Sequence, residues 1–212
     1  MSRRVILASG WVIASHAGSQ ILRFASNLVM TRLLVPDMFG IMALANTILF
    51  GIMLFSDLGL HQGVVQSRRG DETRYLNTVW TVQILRGALI WIAALAIAVG
   101  LHLLGSRHLL PSGSSYSDPV LPWVVAVLSL NVLVGGFAST KIATASRHLA
   151  LGRVTLIELV SQVAGLAAMI VWALADRSIW AMVVGSLFSA LMRVFLSHAF
   201  LPGEPNALHW SR

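Results

Sequence analysis

The residues of this chain that could do chemistry sit inside apolar runs. Ser15, His16, Ser19, Gln20, Arg23, Ser26, Asn27 and Thr31 recur at helical spacing. At roughly 100° per residue they share a sector of about 160° on one helix. The other side holds Ala17, Gly18, Ile21, Leu22, Phe24, Ala25, Leu28 and Val29. A charged Arg23 facing hydrocarbon is costly. The spacing therefore predicts a stripe that faces a watery cavity inside a helix bundle, the layout of a transporter. One alternative is a helix lying in the plane of the membrane surface, although such helices usually carry rows of Lys and Arg that this one lacks. Another is a polar face buried against neighbouring helices.

Four more ionisable residues fall in apolar runs: Asp57, Arg86, Glu158 and Arg193. Gln83 lies three residues before Arg86, and Gln162 four after Glu158, so each pair shares a helix face. Asn131 is a polar residue near the middle of another run. A guanidinium fork makes paired hydrogen bonds to pyrophosphate. Arg23, Arg86 and Arg193, with Ser19, Gln20 and Asn27, are thus the candidate lining of a substrate path. The plainer alternative for Arg86 and Arg193 is snorkelling to the interface. Asp57 and Glu158 are candidates for ion coupling or for structural ion pairs with a neighbouring arginine. The seven histidines show no paired-His or HExxH spacing, so neither a metal nor a cofactor is expected. No Gly-rich phosphate loop appears either.

The elements that must position these residues are membrane helices. Hydrophobic residues make up 57% of the 212 and charged ones 11%, with a mean hydropathy of +0.79. A soluble domain of this length needs far less apolar surface. With no cysteine, disulfides and thiolate sites are excluded. The net charge of +7 lies in short segments between apolar runs, without interleaved aromatics, so nucleic acid is not a predicted partner. The lipid bilayer is.

Length and apolarity predict an all-α polytopic bundle of six transmembrane helices, near residues 9–31, 38–60, 79–104, 120–140, 153–175 and 178–200. They form one lobe, residues 1–201. Residues 202–212, with Pro202, Gly203 and Pro205, read as a linker or truncated connection. Pro36-Asp37 is expected to turn the chain, with Asp37 capping the second helix. Lys and Arg number nine on the side of the N-terminus and three on the other, which places both termini in the cytoplasm. Trp80, Trp123, Trp172 and Trp180 are expected at the membrane interfaces.

Between residues 31 and 87 the pattern becomes specific. It runs Thr31-Arg32-Leu33-Leu34-Val35-Pro36-Asp37-Met38-Phe39-Gly40, then Ser56-Asp57-Leu58-Gly59-Leu60, Gln66 and Leu76-Asn77-Thr78. Later come Arg147-His148-Leu149 and Arg177-Ser178-Ile179-Trp180-Ala181. In order and spacing this resembles the oligosaccharide flippase, or polysaccharide exporter, family of the multidrug and lipid-linked oligosaccharide exporter superfamily. The resemblance implies a transporter, not an enzyme, in the bacterial inner membrane. It would turn polyprenyl-pyrophosphate-linked oligosaccharide across the bilayer for surface polysaccharide synthesis. It also implies two six-helix lobes around a central, often cationic, cavity, of which this chain matches the first. The second lobe would belong to the same chain or to a dimer partner. The alternatives are a half-size protein that dimerises or scaffolds an export complex, and a multidrug exporter of the same superfamily. A membrane glycosyltransferase or polymerase would need catalytic carboxylates on a large loop. The longest outer loop offers only Asp118.

Overall fold

A computed structural model describes residues 3–56, 59–107 and 115–208. Asp57 and Arg212 lie outside the described residues. Within them the chain is all helical: α1 (Arg3–Leu33), α2 (Pro36–Phe55), α3 (Leu60–Gln66), α4 (Thr73–Ser106), α5 (Leu121–Leu128), α6 (Leu130–Gly136), α7 (Lys141–Arg147), α8 (Leu151–Ala175) and α9 (Trp180–Ala199). A single 3-10 turn, Ser115–Ser117, precedes α5.

Among the described residues four helices are long and apolar enough to cross a membrane: α2, α4, α8 and α9. A fifth crossing is available if α5–α6 and α7, bent by 60° across residues 137–140, count as one. Helix α1 is not among these four. The short helices α3 and α7 were not expected, since neither is long enough to leave a periodic signature. Asp37 does not cap α2. Pro36 occupies the first helical turn, Val35 holds the capping position without a side-chain bond, and Asp37 follows inside the turn. There its charge still complements the helix dipole.

The bundle is tight at one end and open at the other. The principal apolar core joins Met30 of α1 and Leu34 just after it, α2 (Ile41, Ala45, Leu49) and the C-terminal half of α4 (Ala94, Ala98). It continues through α5 (Leu121, Val124, Val125), the end of α8 (Ala173) and the start of α9 (Met182, Val183). All of these lie at the end that carries the α1–α2 and α8–α9 turns. Only small clusters occupy the other end, Val64–Val79–Ala143 and Ile157–Leu196–Leu201.

Two close helix crossings set this shape. At Gly165 of α8 an added Cβ would lie 2.7 Å from Gly185 O and 2.6 Å from Ser189 Cβ, both on α9. At Gly87 of α4 it would lie 3.0 Å from Val132 O of α6. Backbones approach this closely only where side chains are absent, the small-residue mode of membrane helices. Gly59 and Gly63 do not act this way. Gly63 meets only Tyr75 Oη at ordinary contact, and Gly59 turns the chain into α3 with φ 58°.

The bend after α6 frees backbone carbonyls, and side chains collect them. Gln83 Nε2 donates to Gly135 O, Gly136 O and Ala138 O at 3.1–3.3 Å. Phe137 O accepts from Trp80 Nε1 at 3.4 Å and from His198 Nε2 at 2.9 Å. Trp80 is therefore tied to the bend, whereas Trp123 and Trp172 are exposed as interfacial residues would be. Ser197 Oγ accepts from Ser139 N at 3.0 Å. Irregular backbone inside a membrane bundle persists only when satisfied in this way. The tail then crosses the bend: Ser139 Oγ donates to Asn206 Oδ1, Asn206 Nδ2 to Thr140 Oγ1, and Lys141 Nζ to Leu201 O.

At the same end Arg147 closes the α3–α4 connection. Its Nη1 donates to Val65 O and Ser67 O at the end of α3, and its Nε faces Asp71 Oδ2 at 3.2 Å. His148 Nε2 meets Asp71 Oδ1 at 2.8 Å. That hydrogen bond is the main cause holding the Asp71 carboxyl below its ordinary value, with the charges of His148 and Arg147 adding to it and desolvation opposing it.

Replacing Gly165 by Leu should lower bundle stability by about 1–3 kcal/mol through overpacking. Gly100→Ala, where nothing lies within 4 Å, should be neutral or stabilise by up to about 1 kcal/mol. Thermal unfolding in detergent measures both. A carboxyl whose folded pKa is depressed stabilises fully above its unfolded value, about 3.9, and loses this as pH falls through the lower folded value. Wild type should therefore melt above Asp71→Asn at pH 7, and the gap should close below pH ~4. A gap constant down to pH 3 would refute that role for Asp71.

Candidate functional site

The open half holds a lumen of adjoining chambers. One, of about 520 Å³ between α1, α8 and α9, is lined by Ser19, Gln20, Arg23, Glu158, Ser161, Gln162 and Arg193, among others. Deeper between the same helices, a chamber of about 430 Å³ takes Arg23, Ser26 and Asn27. A third, of about 640 Å³ between α2, α3, α4 and α6, holds Arg86, Gln83, His61 and Gln62, again with Arg193. A fourth, of about 410 Å³, lies against the bend and is walled by Gln83, Asn131, Ser139, Thr140, Ser189 and Arg193. The six candidate path residues, Ser19, Gln20, Arg23, Asn27, Arg86 and Arg193, line three of these chambers, two of which share Arg23 and two Arg193.

Packing explains why the stripe of α1 turns inward. Gly18 lets α1 lie on Leu159 of α8, with 3.0 Å from the position of a Cβ to Leu159 Cδ2. Gln162 Nε2 then donates to Ser19 Oγ at 3.0 Å. The opposite face stays outside: Ile21 is 67% and Phe24 71% exposed.

The charges divide into paired and unpaired. Arg193 Nη2 contacts Glu158 Oε1 at 3.3 Å across the α8–α9 crossing. Of the two readings for Glu158, the geometry displays the ion pair. Among the described residues neither Arg23 nor Arg86 has a carboxylate within salt-bridge distance. Arg86 Nε is buried with no hydrogen-bond partner. Such an atom is expensive unless a ligand or water meets it. Asp57 cannot be placed in this network, since it lies outside the described residues.

Several lining residues were not singled out in the sequence. Ser161 is 2% exposed, and its Oγ has no partner. Ser186 accepts from Asn131 Nδ2 at 3.1 Å, and Ser189 walls three chambers. The signal existed: Ser186, Ser189 and Arg193 recur at i, i+3 and i+7 on α9, and Ser161 is three residues from Glu158. No group of three or more His, Cys, Asp or Glu among the described residues could hold a metal.

An all-helical bundle with apolar outer faces and a cation-bearing polar lumen is a polytopic membrane protein. The family model described as polysaccharide biosynthesis protein matches residues 29–212, and the chain belongs to that family. The match contains every motif between residues 31 and 87 that carried the resemblance to polysaccharide exporters, while most of the α1 stripe precedes it. No curated protein and no solved structure matches the chain significantly.

The absence of native cysteine gives the lumen a direct test. In membranes, Ser19→Cys and Ser189→Cys should react with a charged, water-soluble thiol reagent at least about tenfold faster than Ile21→Cys and Phe24→Cys, because ionised reagents do not enter hydrocarbon. Equal rates would mean that the stripe does not face water.

Proposed function

We infer that this chain is the N-terminal lobe of a transporter that flips polyprenyl-pyrophosphate-linked oligosaccharide across the bacterial inner membrane. The observation that carries the reading is the lumen: two arginines that have no carboxylate partner among the described residues, set among hydroxyl and amide groups. Guanidinium groups match the fork geometry of a pyrophosphate. Hydroxyls and amides match the hydrogen-bonding edges of sugars. Membership in a polysaccharide biosynthesis family supports the substrate class.

In this reading α1 is a sixth membrane helix whose polar face lines the path. The excess of Lys and Arg on the N-terminal side sets the open end toward the cytoplasm, where lipid-linked sugar units would enter. A second six-helix lobe supplies the facing wall. No step requires a catalytic residue or a cofactor. The lobe offers charge complementarity, and alternation of the open end supplies direction.

In the intact transporter, Arg23→Ala and Arg86→Ala should each lower flipping of the lipid-linked oligosaccharide at least about tenfold, the cost of one lost charge-assisted contact. Membrane insertion and thermal stability should stay unchanged. Undiminished flipping in both variants would overturn the assignment of the lumen.

A further inference from the structure

Among the described residues, Arg193 alone lines both the chamber that holds Arg23 with Glu158 and the chamber that holds Arg86. An extended anion reaching from one arginine to the other must pass it. Arg193 is held loosely. Its contact with Glu158 is a single bond of 3.3 Å, and its side chain remains 48% exposed to the lumen. A guanidinium carries five N–H donors, and the others have no hydrogen-bond partner among the described residues.

We propose that Glu158 is a displaceable counter-ion that sets how strongly the lumen holds an anion. In the empty lumen it keeps Arg193 against α8. A diphosphate-type anion bridging the two chambers draws Arg193 away and completes a three-arginine grip. Anions too short to engage Arg193 leave the pair intact and gain only one arginine. The proposal rests on the lumen being the anion path and adds the element that tunes it. Competition of this kind follows from electrostatics: a carboxylate and a ligand anion cannot both take the same fork, and each weakens the other's hold.

The test is titration of inorganic pyrophosphate into the intact protein in nanodiscs of zwitterionic lipid. Glu158→Gln keeps the side-chain volume and removes the competing charge. It should tighten pyrophosphate binding by about tenfold, within the usual range of coupling between two ligands of one site. Glu158→Asp, which keeps the charge but shortens the reach, should fall between Gln and wild type. In an Arg193→Gln background the gain from Glu158→Gln should vanish. Loss of a merely structural pair would weaken binding or leave it unchanged, so the sign of the effect is decisive. Unchanged or weaker binding in Glu158→Gln overturns the proposal, as does a gain that persists without Arg193. Should Glu158→Gln fail to fold, no gain in Glu158→Asp overturns it. Arg23→Ala and Arg86→Ala separate the two readings. If they weaken pyrophosphate binding while Glu158→Gln does not strengthen it, only the counter-ion role fails. If they leave binding unchanged, the anion path itself fails.

Discussion

One constraint organises this protein: inside a bilayer, every polar group must meet another polar group or water. Backbone amides meet it by forming helices. The bend between α6 and α7 breaks that solution, and Gln83, Trp80, His198 and Ser197 restore it one group at a time. The same constraint explains the asymmetry of α1. Ile21, Phe24 and Leu28 face outward, while Ser19, Arg23 and Ser26 line the chambers.

Close packing converts that constraint into a cavity. Where α8 and α9 cross at Gly165 and Gly185, and α4 and α6 at Gly87 and Gly136, backbones nearly touch. Large apolar side chains fill the end with the α1–α2 and α8–α9 turns. The opposite end lacks such a core, and the helices spread around serine, glutamine and arginine side chains. Its order comes instead from hydrogen bonds: Arg147 on the end of α3, and the tail on Ser139 and Thr140. Such contacts can exchange with water at lower cost than an apolar core can open. The open end is therefore the physically softer one.

Charge gives the cavity its chemical character. Three arginines and one carboxylate of the described residues share the lumen, and only one arginine is paired. A polar cavity with surplus positive charge favours anions, and a family of polysaccharide biosynthesis proteins handles sugars on phosphate-bearing carriers in the reading proposed here. Arg193, standing between the chambers, is the point at which ligand charge and protein charge compete.

Helical class, apolar spans, the amphipathic stripe and the family motifs were legible in the sequence because they are local. Each depends on residue type and on a fixed angular step per residue. Arg23, Gln20, Ser19 and Asn27 could be grouped for that reason. Elements too short to show a period escaped: α3, α7 and the 60° bend, where Gly135-Gly136 gave only a composition hint. Of the six expected spans, four or five stand among the described residues. What only the tertiary structure decided was which charges meet. Glu158 and Arg193 are 35 residues apart, and no rule of local spacing pairs them. Their contact exists because glycines at 165 and 185 let two helices approach.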